Sequence, residues 1–358
     1  MKRIVTIVLA AALATGLLAP AASAQITQFV AESVAKTAAP SVVSLDSINL
    51  FYGSVSFTSR QQQIMVNLAT GLVFRKDGYI LTNDNRVRDA KVIKVTFSDG
   101  KEAEGKLVGV DDAFGLGVVK VVDAKNLQMA KIGDPSKLQR GDSAIAIGYS
   151  GGFGGTVTYG IISALRDYRT PGGVYIPDMI QTDAAINDGN QGGPLLNAAG
   201  EVVGVHSRFS SARQNTTFFL PINIALRVAN DIIETGGPAF RPWLGVLPYS
   251  GGIGRAGYQT LTDDLRMFLD LPDQYWEVGV LVWDVNGESS AFEYGLRRED
   301  LIVKMDGQIV KSIGDLERRI FFLNKKQKIV FGVIRRHRYR DIEVVIGPHP
   351  EPLYQRYI

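Results

Sequence analysis

The hydrophobic and polar positions change period along the chain. Ile26, Phe29, Val30 and Val34 fall at i, i+3, i+4 and i+8, a single helical stripe that Pro40 ends. From Ser41 the period drops to that of strands. Val42 to Leu45 is one short run. Thr70 to Phe74 and Tyr79 to Thr82 flank a Lys76-Asp77-Gly78 turn, and Val92 to Phe97 and Lys106 to Val110 flank Ser98-Asp99-Gly100. Leu116 to Val122 follows. Closely spaced strands with turn signals and few helical stretches predict a small antiparallel barrel.

A second set repeats the pattern at Ser143 to Gly148, Thr156 to Leu165, Met179 to Thr182, Leu195-Leu196 and Val202 to His206. Loop-forming stretches at Ser150 to Gly155 and Tyr168 to Gly173 lie between them. Ile224, Val228 and Ile232 restore helical spacing over Ile222 to Glu234, stopped by Gly236-Gly237. The prediction is two β-barrels and a closing helix over 41–237. Gly236-Gly237-Pro238 is the best linker signal in the chain. The unit after it, 238–347, opens with Arg241-Pro242-Trp243-Leu244-Gly245-Val246. It carries strand patterns at Gly279 to Val285, Leu301 to Met305, Ile329 to Ile334 and Ile342 to Ile346. A helix from about Ile313 to Leu323 lies between them, with Ser312 and Asp315 resembling a capping box. The tail, 348–358, bears prolines and is expected to be loose.

Composition changes this picture mainly by exclusion. The length of 358 residues suits two or three domains at about 100–200 residues each. An apolar fraction of 46% with 21% charged residues is ordinary for a folded protein. The net charge of +3 is the remainder of 39 basic and 36 acidic side chains. With no long basic block, it gives no reason to expect nucleic acid. The absence of cysteine excludes disulfides, thiolate catalysis and cysteine–zinc sites. The three histidines, His206, His337 and His349, have no metal-ligand spacing. At the N-terminus, Lys2 and Arg3 precede an apolar run, Ile4 to Leu18, too short for a comfortable membrane span. Ala22-Ser23-Ala24 fits the small-x-small cleavage rule. Residues 1–24 are therefore read as a signal peptide cleaved after Ala24, followed by an N-terminal helix over 25–40. The mature protein is expected in a bacterial periplasm or secreted.

Candidate chemistry centres on Asp188-Gly189-Asn190-Gln191-Gly192-Gly193-Pro194-Leu195-Leu196. Three glycines and a proline in six residues mark a rigid, tightly turned loop whose backbone N–H groups can point at a ligand. Four further stretches precede it: Ala39-Pro40-Ser41-Val42-Val43, Asp77-Gly78-Tyr79-Ile80-Leu81-Thr82-Asn83, Val157 to Leu165 and Gln181 to Asn187. A fifth, Arg241 to Val246, follows it. In this order they resemble the periplasmic HtrA/Deg family of trypsin-like serine proteases. That resemblance covers nearly all of the mature chain. It implies a mainly β fold: a chymotrypsin-like double antiparallel β-barrel followed by an α+β PDZ domain.

The family's catalytic residues do not carry over. Its histidine follows Leu-Thr-Asn in Thr-Asn-Asn-His-Val-Val, and Asn85 stands in that place. Its aspartate opens Asp-Leu-Ala-Val-Leu-Lys, and Gly115 stands there. Its serine lies in Gly-Asn-Ser-Gly-Gly-Pro, where this chain has Gln191. No histidine precedes residue 206, so no shift within the first barrel can supply one. Asp111 and Asp112 lie near Gly115, but Gly109-Val110-Asp111 already matches the family segment before its aspartate. A glutamine amide is not a nucleophile that a base can deprotonate, an asparagine amide is no base near neutral pH, and glycine orients nothing.

The expectation is an exported pseudoprotease, without metal or cofactor, that binds peptides or unfolded polypeptides as a chaperone, scaffold or regulator of active relatives. The alternative is an active serine-type endopeptidase in protein quality control with an unrecognised catalytic set. Gly189, Asn190 and Gln191 are the remnant of the oxyanion loop, either still presenting N–H donors or purely structural. His206 reads as a strand histidine, with Ser207 on the opposite face of the strand, and His337 as part of a solvated hairpin. By resemblance, Trp243-Leu244-Gly245-Val246 fits the PDZ loop whose backbone amides capture a peptide C-terminus, the peptide adding as a strand. Leu316 and Ile320, four apart on one helix face, either line that groove or serve only the core. The chain's own end, Tyr357-Ile358, is of the kind such grooves accept. Family trimers imply a homo-oligomer through the Ile26 to Val34 stripe, or a mixed oligomer with active homologues.

Overall fold

The Lys76-Asp77-Gly78 turn reverses the chain because Gly78 takes a φ of +96°, in a place where a Cβ would lie 2.4 Å from that of Ala124. The reversal pairs β2 (Ser59–Val73) with β3 (Tyr79–Asn83), Leu72 opposite Leu81. Ser98-Asp99-Gly100 likewise joins β4 (Val92–Thr96) to β5 (Glu102–Asp111). With β1 (Val42–Ser56) and β6 (Leu116–Val121) these strands close an antiparallel barrel in the order β1-β2-β3-β6-β5-β4. Val43, Leu45, Ile80, Val95 and Val119 pack inside it.

The structure is a computed structural model describing residues 30–56, 59–149, 155–170, 174–187, 189–208, 216–249 and 278–350, with the backbone alone over 50–64. The signal segment, Ile26 and Phe29 of the helical stripe, the loop 150–154, Asp188 and Tyr357-Ile358 lie outside the described residues. The described residues form two units, one within 1–166 and 178–239 and the other within 167–177 and 240–358. No helix among them is long and apolar enough to cross a membrane.

The hydrophobic pattern predicts no strand over 46–69, yet β1 and β2 continue through it as a hairpin, from Val42 opposite Leu72 to Ser54 opposite Arg60. Runs such as Gln61-Gln62-Gln63 lack apolar alternation, whereas ladder pairing needs only extended neighbours.

The second barrel runs β10-β11-β12-β9-β8-β7. Its strands are β7 (Ser143–Gly148), β8 (Thr156–Arg169), β9 (Tyr175–Thr182), β10 (Pro194–Leu196), β11 (Val202–Val205) and β12 (Thr217–Pro221). Ala146, Ile162, Ile180, Leu195 and Phe219 fill it. Strand β12 is absent from the predicted set, and β11 ends one residue earlier than predicted, at Val205. The closing helix, Ile222–Thr235, buries Ile224, Ala225, Val228 and Ile232. It stops at Gly236, a left-handed C-cap whose N–H bonds to Ile232 O at 2.8 Å. Two closed, antiparallel, six-stranded barrels are the chymotrypsin-like architecture expected.

In the second unit, β13 (Pro242–Trp243) is followed by a sheet of β14 (Val246–Pro248), β15 (Val280–Val285), β16 (Leu301–Met305), β18 (Lys328–Arg335) and β19 (Arg338–Val345) in that order, with β17 (Gln308–Ile309) paired to β16. The helix Ile313–Phe321 begins where Ser312 Oγ accepts the Asp315 N–H at 3.2 Å. Leu244, Val282, Ile302, Leu316, Ile320 and Phe331 share its core. The structure corrects the start of the loose tail. Gly347–Pro348 pairs with Pro242–Trp243, the His349 N–H bonds to Arg241 O at 2.8 Å, and the His349 ring lies 5.4 Å from that of Trp243.

Candidate functional site

The loop from Gly189 to Gly193 is shaped by close backbone approach. Gly189 and Gly192 take φ values of +96° and +86°. A Cβ on Gly192 would lie 2.3 Å from Thr70 O and 2.5 Å from Thr82 Oγ1, so a side chain there is barred. Thr70 of β2 ties the loop down. Its N–H bonds to Gln191 O at 2.9 Å, its hydroxyl donates to Gly189 O at 2.7 Å, and the same oxygen accepts the Tyr149 N–H at 2.8 Å. The N–H groups of Asn190, Gly192 and Gly193 are donated to the carbonyls of Asn187, His206 and Asn190. Those three donors are spent on the loop's own shape.

Asn85, Gly115 and Gln191 are brought together from three separate elements. Asn85 sits in the short helix Asp84–Val87, where Asn83 Oδ1 accepts its N–H at 3.0 Å. Gly115, at φ +66°, precedes β6, and its carbonyl accepts the Asp84 N–H at 3.3 Å. Asn85 and Gln191 line one cavity of about 270 Å³ with Arg86, His206, Ser207 and Arg208. An arginine meets each of the three positions. Arg86 Nε donates to Gln191 Oε1 at 3.0 Å, and Arg208 donates to Asn85 Oδ1 at 3.0 Å. The backbone of Arg208 covers Gly115, where an added Cβ would lie 2.7 Å from Arg208 Cβ and 2.9 Å from its nitrogen. Neither arginine stands out in the sequence, because a loop arginine is solvated by default. Their adjacency to Asn85 and Ser207 is the only signal that points to them.

The nearby carboxylates serve other ends. Asp84 is fully buried and receives Arg88 at 2.7 Å and Arg208 at 2.9 Å. Burial pushes its carboxyl above the ordinary range, against the opposing pull of Arg208 and Arg88. Asp111 accepts the Phe114 N–H at 2.9 Å and the Ala239 N–H at 2.7 Å, and Asp112 pairs with Arg88.

β11 ends at Val205, short of His206 and Ser207, and both residues line the cavity. They do not bond to one another: His206 Nδ1 and Ser207 Oγ are both buried without a hydrogen-bond partner. Burial, with the Arg86 charge adding to it, holds the imidazole down to about 4, so His206 is neutral near pH 7. Its ring packs edge-on against Phe219 at 5.4 Å. His337 occupies the turn between β18 and β19 at φ +63°. No group of three or more His, Asp or Glu among the described residues is placed to hold a metal. The cavity offers guanidinium, amide, hydroxyl and imidazole groups. That chemistry suits oxygen acceptors.

In the second unit, Gly245 takes φ +82°, and a Cβ there would lie 2.1 Å from Ser289 Cβ. The carbonyls on either side of this turn are held, Leu244 O by the Ala291 N–H at 3.0 Å and Gly245 O by the Asn286 N–H at 2.9 Å. Trp243 and Leu244 are buried, and Val246 begins β14 opposite Val285. Leu316 and Ile320 lie on one helix face, as expected, but at 0% and 4% exposure their side chains belong to the core.

A model of the trypsin-like peptidase domain matches residues 69–205, and a PDZ-domain model matches 256–346. A Synechocystis protein named as a serine protease, HhoB, is 38% identical over 291 residues, covering 80% of this chain and 68% of its own. A Pseudomonas putida protein named as a DegP-like periplasmic serine endoprotease is 37% identical over 296 residues, covering 81% of this chain and 58% of its own. The chain thus spans little more than half the length of that relative. Among solved structures, the HtrA-type protease AlgW with a decapeptide aligns with a TM-score of 0.71 and 30% identity, over 90% of this chain and 99% of that one.

Proposed function

The chain belongs to the HtrA family of trypsin-like serine proteases with a PDZ domain, and from that premise we propose that it binds polypeptide without cutting it. The observation that carries this reading is the pair of arginines on the three triad-equivalent positions. Arg86 holds Gln191, Arg208 holds Asn85, and the Arg208 backbone stands against Gly115. Acyl transfer needs a nucleophile within reach of a base that a third group orients. Here the hydrogen bonds at those positions run between amides and guanidiniums. The one nearby imidazole, that of His206, has no hydrogen-bonding partner at Nδ1 to orient it.

On this reading the protein is exported to the periplasm and acts there as a chaperone, scaffold or regulator. Trp243 to Val246 receives the C-terminus of a peptide, which lies beside β14. The mature chain assembles through its N-terminal region, with itself or with active homologues. The names of the relatives favour a second reading, an active endopeptidase using groups other than the three positions.

One experiment separates the two. The mature chain is incubated with an unfolded protein substrate and with a serine-directed fluorophosphonate. We expect neither cleavage nor labelling, while a free-acid peptide binds and its C-terminally amidated form does not. Cleavage or labelling by the unmodified chain would overturn the proposal.

A further inference from the structure

Asn286-Gly287 is the one Asn-Gly pair in the sequence. It lies between β15 and the short helix Ser290–Glu293, with Gly287 exposed. Asn286 ties this turn to Gly245. Its N–H donates to Gly245 O at 2.9 Å, and its carbonyl accepts the Ser289 N–H at 3.1 Å and the Ser289 hydroxyl at 2.6 Å. Its side-chain Oδ1 accepts the Glu288 N–H at 2.9 Å. The Gly287 N–H and the Asn286 Nδ2 make no hydrogen bond among the described residues.

These contacts favour attack by the Gly287 nitrogen on the Asn286 side chain. The two donors on the Asn286 carbonyl stabilise the anion that forms when the Gly287 N–H gives up its proton. The donor on Oδ1 stabilises the negative charge that develops there as Cγ is attacked. Glycine sets no side chain in the way, and no hydrogen bond has to break to free its nitrogen.

We propose that Asn286 is a site of spontaneous deamidation, and that the change disables the turn at Gly245. The deprotonated Gly287 nitrogen bonds to Asn286 Cγ, the Cγ–Nδ2 bond breaks, and the amide nitrogen leaves as ammonia with the proton. Water then opens the cyclic imide. Opening at Cγ gives aspartate. Opening at the main-chain carbonyl carbon gives isoaspartate, whose chain runs through Cβ and Cγ. In the isoaspartyl product the carbonyl that held Ser289 leaves the main chain as a carboxylate. In the aspartyl product the chain is kept and a negative charge is added at the residue that holds the Gly245 carbonyl. The loss of peptide binding rests on the reading that Trp243 to Val246 receives a peptide C-terminus. The deamidation itself does not.

The test ages the mature chain and Gly287→Ala in mildly alkaline heavy-oxygen water, with samples taken over time. A Cβ on Gly287 meets nothing within 4 Å, so the variant keeps the fold while setting a methyl group beside the attacking nitrogen. Mass spectrometry of tryptic peptides reads the exchange of amide for acid with uptake of heavy oxygen, and an isoaspartyl methyltransferase reads the isoaspartate. Binding of a free-acid peptide is followed on the same samples by fluorescence anisotropy. We expect uptake at Asn286 ahead of the other asparagines, and slower in Gly287→Ala. Affinity of the converted protein should fall by about three- to tenfold, the worth of one hydrogen bond. Freshly made Asn286→Asp should show a loss that added salt relieves, because the new charge repels a carboxylate. No uptake at Asn286, or equal uptake in Gly287→Ala, would overturn the modification. Full conversion with undiminished affinity would overturn its consequence. Fresh protein that binds no free-acid peptide would instead refute the peptide-capture reading, and the mass readout would still decide the modification.

Discussion

Arg208 stands where a side chain at Gly115 would have to go. A Cβ built on Gly115 falls 2.7 Å from Arg208 Cβ and 2.9 Å from its backbone nitrogen, at a φ of +66°. The position that the sequence reading sets in place of the family aspartate is thus closed by backbone as well as empty of a side chain. Gly115→Asp should lower stability by about 2–4 kcal/mol, combining a left-handed non-glycine residue with overpacking. Arg208→Ala keeps the Cβ and the backbone nitrogen, so the double variant should be less stable than Gly115→Asp alone. Urea midpoints of the three proteins check this, and a rescue by Arg208→Ala would show the clash lies elsewhere. It follows that restoring a triad by side-chain replacement alone has to move the segment at 208.

Buried Asp84 supports this arrangement through Arg88 and Arg208. Asp84→Asn should destabilise the protein by about 1–3 kcal/mol. That is less than the ~3–5 of a broken, fully buried pair, because the two arginine side chains are 33% and 30% exposed and water screens them in part. Denaturant titration of the single variant measures the loss directly.

His206 predicts a dependence of stability on pH. Its folded value is held down to about 4, against about 6.5 in an unfolded chain. Between these values the unfolded state takes up a proton that the folded state refuses. The contribution is therefore complete above pH 6.5, falls as pH drops, and is exhausted below about 4, amounting to about 3 kcal/mol across the window. Unfolding free energies of the unmodified protein and His206→Gln, compared at pH 7 and pH 4.5, should converge as the pH falls. A constant difference would mean that the imidazole is not neutral and buried.

Gly245 sets the turn before β14. With a Cβ placed 2.1 Å from that of Ser289 and a φ of +82°, Gly245→Ala must shift the turn. Affinity for a free-acid peptide, read by fluorescence anisotropy, should fall at least about tenfold, while barrel unfolding stays unchanged. Undiminished binding would place the peptide elsewhere on the protein.

The sequence makes some of this legible. The Asp77-Gly78 turn, the Gly236 cap and the Ser312 cap are local signals, and each is found where the residues place it. The hairpin of β1 and β2 is not, because its pairing is satisfied by backbone while its residues carry no alternation. At the site, Asn85, Gly115 and Gln191 are visible as odd letters in familiar runs. Arg86 and Arg208 are not, since what makes them matter is a meeting between residues 86 and 191 and between 208 and 85. The end of β11 is not legible either: the apolar run carries the prediction to His206, and the strand stops at Val205.

Thr70 grips the glycine loop through Gly189 O and Gln191 O, both main-chain atoms. None of these bonds asks what side chain residue 191 carries. The seat is therefore indifferent to its occupant. The residue there can be exchanged without disturbing the main-chain bonds that hold the loop.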